Sequence, residues 1–140
     1  MPSATTSDFL HHYQMKKLFH GIDWTNLTNI YVALFTTNPN LDGTGGVEVT
    51  TSGSNYSRQA VAVGLAQWNV NGLEYSNAND ITYGVPSSTW GVIVGAGLYD
   101  AATGGNLLYV TNLTTSKSVN NGDGAPKILQ NSLRVTVATC

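Results

Sequence analysis

At 140 residues the chain has the length of one domain, yet only 10% of it is charged, against ~25% in ordinary globular proteins. The net charge is -2 and the six cations, Lys16, Lys17, Arg58, Lys117, Lys127 and Arg134, are scattered, which argues against nucleic acid as a main partner. No apolar run approaches the ~20 residues of a membrane span, no basic-then-apolar export signal opens the chain, and the one cysteine, Cys140, can form no internal disulfide.

Residues 1–7 read as a flexible arm, with Ser7 also placed to cap a helix. That helix is predicted from Asp8 to His20: an acid opens it, Lys16, Lys17 and His20 lie near its end, and Gly21 supplies a left-handed stop. Phe9, Leu10, Tyr13, Lys17 and Leu18 form a mostly apolar stripe at helical spacing. The pattern then changes to short strands. Ile30 to Thr36 is a strand ended by Asn38-Pro39-Asn40, and Leu41 to Asn55 is a long Gly/Thr/Ser loop. Gln59 to Leu65 and Gln67 to Val70 are strands separated by Gly64, and Asn71-Gly72 is a type I′ turn signal before Leu73-Glu74-Tyr75. A short strand is expected over Asp80 to Tyr83, and Pro86-Ser87-Ser88 breaks the chain.

The strongest signal comes next. Trp90 to Tyr99 and Asn106 to Leu113 flank the turn cluster Asp100 to Asn106, which writes out a β-hairpin. Leu113 to Gly124 reads as a second polar loop. Leu129 to Ala138 alternates as a final strand, with Leu133, Val135 and Val137 on one face and Arg134 and Thr136 on the other. About seven or eight short strands separated by turns predict a mainly β fold, an antiparallel β-sandwich or jelly-roll with one short N-terminal α-helix, occupying residues 8–140 as a single domain.

Chemistry is sparse. His11, His12 and His20 lack carboxylates at ligand spacing, so neither a metal nor a cofactor is expected. Asp42-Gly43-Thr44-Gly45 and Asn121-Gly122-Asp123-Gly124 lack the calcium-loop ladder and read as turns. The sequons at Asn26, Asn55 and Asn112 are what an Asn- and Thr-rich chain produces by chance. No phosphate cradle, nucleophile elbow or poised carboxylate pair is present, and catalysis is not expected. The aromatics read as core and interface anchors rather than a sugar platform. Candidate interface residues are Phe9, Leu10, Tyr13, Trp24 and Trp90.

Several segments in fixed order carry a resemblance. They are Tyr31 to Pro39 (YVALFTTNP), Tyr56 to Val61 (YSRQAV), Trp90 to Tyr109 (WGVIVGAGLYDAATGGNLLY), Leu113 to Asp123 and Leu133 to Thr136. Together they make the chain resemble a family of small virion proteins of tailed bacteriophages, whose members are described as tail-fibre or capsid cement (decoration) proteins. The resemblance covers most of the chain from Asp8 onward. It implies a non-enzymatic structural protein of the virion, made in the host bacterium. The expectation is a cement protein on the outside of the capsid, bound to the major capsid protein as a homotrimer, with no nucleic acid, membrane or small-molecule substrate as partner. The alternative is a tail-fibre or receptor-binding module that recognises a host surface. The lack of a coiled-coil or β-helical shaft favours cement.

Overall fold

The computed structural model describes residues 5–21 and 27–136. In chain order the elements are β1 (Thr5–Thr6), α1 (Asp8–His20), β2 (Asn29–Thr37), β3 (Val47–Glu48), β4 (Gln59–Ala62) and β5 (Trp68–Asn71). They continue with β6 (Glu74–Asn77), β7 (Ile81–Thr82), β8 (Gly91–Tyr99), β9 (Leu107–Val119), β10 (Lys127–Ile128) and β11 (Arg134–Thr136).

The six-stranded sheet is built around β2 and β8. Its order is β1-β9-β8-β2-β3, and β4 shares the outer edge of β2 with β3. All pairings are antiparallel. Val32, Ala33, Leu34 and Phe35 are all buried, so β2 reads as an unbroken apolar run because the sheet is covered on both faces there. On one face Val32, Leu34, Ile93, Ala96 and Leu98 share a core with Ile81, Tyr83, Ile128, Leu133 and Val135. The latter belong to a second layer in two parts, the β7-β10 ribbon and the β5-β6-β11 sheet. On the other face the Phe35 ring lies over Gly97, where a Cβ would sit 2.7 Å from it, and tilts against Tyr99 at 6.3 Å between centroids. The fold is mainly β with antiparallel sheets and one short N-terminal helix, as the strand and turn pattern indicated.

The helix ends follow the sequence signals. Ser7 Oγ accepts from the Leu10 N–H, and the N–H of Gly21, in the left-handed region at φ 66°, donates to Lys17 O. The arm is a different matter. Thr5 and Thr6 pair with Val110 and Tyr109, and Ser7 is buried. One serine explains this: its N–H donates to Leu108 O at 2.8 Å and its hydroxyl donates to Leu107 O. The same side chain that caps the helix therefore fastens the segment before it to the large sheet. Residues 1–4, and Val137 and Ala138 at the end of the expected last strand, lie outside the described residues.

Other differences have similarly local causes. Asn71 pairs with Glu74, so the turn residues of the β5–β6 hairpin are Gly72 and Leu73. Only Gly72 takes a positive φ, 64°, which is the type II′ pattern rather than I′. The loop over Leu41 to Asn55 contains β3, held to β2 at Phe35 and Thr37. The expected polar loop after Leu113 is strand as far as Val119. Ile93 pairs with Lys117 and Gly95 with Asn112, so a bulge of Leu113 to Ser116 stands opposite Val94 alone; such insertions bend a strand without ending it. Of the expected last strand, Leu129 to Ala138, only Arg134 to Thr136 is strand among the described residues; Leu129 to Leu133 form the turn that follows β10. Asn131 at φ 62° turns the chain between β10 and β11.

Asn77 fixes that turn. Its side chain is almost fully buried at 1% exposure. Its Nδ2 donates to Asn79 O and Leu129 O, and its Oδ1 accepts from the Leu133 N–H. Asn77→Ala strands those backbone groups in the interior, where each costs about 1–3 kcal/mol. Chemical denaturation is expected to show a loss of roughly 3 kcal/mol, and a loss under about 1 kcal/mol would mean the turn holds without it.

Candidate binding surfaces

Two of the interface candidates are interior. Trp90 lies in the core with its Nε1 donating to Ser54 O at 2.8 Å, and its ring meets Tyr56 and Tyr83 edge-on at 5.4 and 6.4 Å. Leu10 is the buried residue of α1 and packs into the same core. Neither is available to a partner, because each already has its apolar contacts within the protomer. Phe9 is partly exposed and its ring contacts Tyr13 at 6.2 Å; Tyr13 is half-buried. Trp24 lies outside the described residues.

The outward face of α1 is Met15, Leu18 and Phe19, with His11 and His12 beside them. Leu18 is 73% and Phe19 69% exposed. The helix stripe predicted from the sequence thus splits. Leu10 turns inward, whereas Leu18 points away with residues the stripe omitted. His11 and His12 line a shallow hollow with Asp8 and Met15. Among the described residues no three of His, Cys, Asp and Glu come together as a metal-binding group.

A second apolar surface lies where the small β5-β6-β11 sheet meets the large one. It is an open groove of about 400 Å³ floored by Ile30, Trp68, Leu98, Tyr109 and Val135. Its rim carries Val63, Val70, Tyr75 and Leu65, the last 94% exposed. The Trp68 Nε1 is buried there with no hydrogen-bond partner among the described residues. Sequence reasoning missed this surface. The run Gln59 to Leu65 reads as one strand, but β4 ends at Ala62, and Val63 and Leu65 pass onto the surface.

A charged network sits at the far edge of the large sheet. Arg58 Nε and one terminal nitrogen grip both oxygens of Glu48 at 2.9 and 2.8 Å. The other terminal nitrogen donates to Ala101 O and Gly104 O at 3.0 and 2.8 Å, and the guanidinium lies 3.7 Å over the Tyr99 ring. Tyr56 donates to Glu48 at 2.8 Å and accepts from the Leu34 N–H at 2.9 Å. The hairpin tip is closed further by Asp100, which accepts from the backbone and side chain of Asn106. All these bonds are spent within the protomer, with the Arg58 side chain 7% exposed, so the network shapes the hairpin and offers no open catalytic group. Arg58→Ala leaves Glu48 half-buried and unpaired and frees the two carbonyls. Urea unfolding is expected to show a loss of roughly 3 kcal/mol; an unchanged midpoint would show that the pair holds nothing in place.

Burial pushes the Tyr56 hydroxyl far above the usual phenol range, and the nearby Glu48 carboxylate adds to the shift against the opposing bond from Leu34. Burial raises Tyr83 well above its ordinary value too. Its hydroxyl donates to Val32 O and its ring stacks on Tyr56. Because these folded-state values lie above the unfolded value of 10.0, the stabilisation is complete below that pH and is lost as the pH climbs past it. Stability is therefore expected to fall steadily above about pH 10, and Tyr56→Phe to flatten that decline. A flat profile to about pH 12 in the parent protein would contradict the assignment.

The family described as podophage GP4 fiber I protein gp80 matches residues 5–136, nearly the whole chain. No curated protein matches it.

Proposed function

We propose, from the premise that this chain belongs to the podophage GP4 fiber I protein family and is a structural protein of a phage virion, that it is a non-enzymatic fibre module that assembles with copies of itself. The observation carrying the proposal is a pair of uncovered apolar surfaces on one protomer, the Met15-Leu18-Phe19 face of α1 and the groove rimmed by Leu65. A helix with one buried residue gains little from its own protomer, and isolated helices of this length are marginal. Contact between the helix face of one copy and the groove of the next is heterologous, and three such contacts close a ring with no free end. The low charge content supports this reading, since interface cores are depleted of charge.

The family description supports a fibre rather than the cement role, and in this reading the protein acts at the host surface rather than on the capsid. Light scattering at micromolar concentration is expected to give the mass of a trimer. Leu18→Ser with Phe19→Ser should give a folded monomer, because both residues are solvent-exposed. A trimer in that variant would remove the helix from the contact, and a monomeric parent protein would remove the self-assembly. Phage lacking the protein should adsorb poorly to host cells and release DNA at an unchanged temperature. Normal adsorption with earlier DNA release would return the cement reading.

A further inference from the structure

We infer that the hollow beside the β9 bulge is a binding site for an acidic saccharide unit, a monosaccharide-sized group bearing a carboxylate or phosphate; the inference rests on the fibre reading for its biological use. The bulge of Leu113 to Ser116 has no partner residues in the β8 ladder. Residues of the bulge and of β10 line an opening of about 320 Å³, at the lower end of the range for small-ligand sites. Leu34, Tyr83, Ile93 and Ile128 form an apolar floor. Tyr83 contributes only its ring, since its hydroxyl is committed to Val32 O.

The rim is polar. Lys117 from β9 and Lys127 from β10 flank the opening. The ion pairs made among described residues, Arg58–Glu48 and Arg134–Glu74, involve neither lysine. Thr114, Thr115 and Ser132 add hydroxyls to the lining. Ammonium groups beside an apolar floor suit an anion attached to a partly apolar ring, and hydroxyls suit the ring's own hydroxyl groups. The protein as a whole carries a net charge of -2, so an anion gains nothing from long-range attraction and must be held by these local cations. Bulges recur beside binding sites because they redirect side chains that a regular strand would bury or expose in strict alternation.

The test is titration of the purified protein followed by amide NMR. Glucuronate, N-acetylneuraminate and glucose 6-phosphate are the acidic probes. Glucose is the neutral control and inorganic phosphate the control for a bare anion. At least one acidic sugar is expected to shift residues of β9 and β10 around the opening, with glucose and phosphate much weaker. Lys117→Gln with Lys127→Gln should weaken that binding about tenfold or more, and added salt should weaken it in the parent protein. Both lysines are exposed, so the variant is expected to keep the parent's spectrum elsewhere. No shifts with any acidic sugar, equal shifts with phosphate alone, or binding unaffected by the double substitution would each overturn the site. These measurements use the isolated protein. The adsorption result decides the fibre reading and the titration decides the site, and either can fail without the other.

Discussion

The Glu48–Arg58 pair is the contact through which most of the large sheet is placed. Glu48 lies on β3, Arg58 stands just before β4, and both strands attach to the same edge of β2. By gripping Glu48 with one side of the guanidinium and two carbonyls of the β8–β9 turn with the other, Arg58 links that edge to the tip of the central hairpin. Tyr56 carries the same carboxylate inward to the Leu34 N–H and to the aromatic cluster with Tyr83 and Trp90. A buried ion pair gains little over an apolar replacement, yet losing one partner is costly. Its effect is to fix which loop meets which strand, and short strands of two or four residues need that, since their own ladders hold few hydrogen bonds.

The same contact marks the limit of what could be read in the sequence. The helix was legible to its ends because Ser7 and Gly21 act within one turn of it. The central hairpin was legible because its strands are apolar runs joined by a turn that needs Gly and Asn. The network was not legible. Arg58 and Glu48 are ten positions apart, and only folding of β3 onto β2 brings them together. The continuation of β9 was hidden for a related reason. Thr114 to Ser118 are exposed and polar, like a loop, and only the pairing of Lys117 and Ser118 with Ile93 and Val92, beyond the bulge, shows that the strand goes on.

The candidate interface residues fared unevenly because aromatic character does not distinguish core from contact. Trp90 has a backbone acceptor in the interior and is core; Trp68 has none among the described residues and lines a surface groove. Buried indole nitrogens are usually paired, so the hydrogen bond, and not the residue type, separates the two tryptophans. The helix shows the same limit. Spacing identifies residues that share a face, but which face turns inward is set by where Ser7 fastens the chain to β9.

A division of labour follows from where the charges lie. The strongest ionic contact is spent inside the protomer, the apolar groove and helix face carry no ionic partner among the described residues, and Lys117 and Lys127 stand apart beside the bulge. Apolar surfaces associate without much regard to salt, whereas attraction between exposed charges is screened within about 10 Å at about 0.1 M salt. Assembly through the groove and recognition through the lysines should thus respond differently to ionic strength: copies stay together in salt that releases an anionic ligand. If both proposals hold, a virion protein would remain assembled while its hold on a charged ligand varied with the medium.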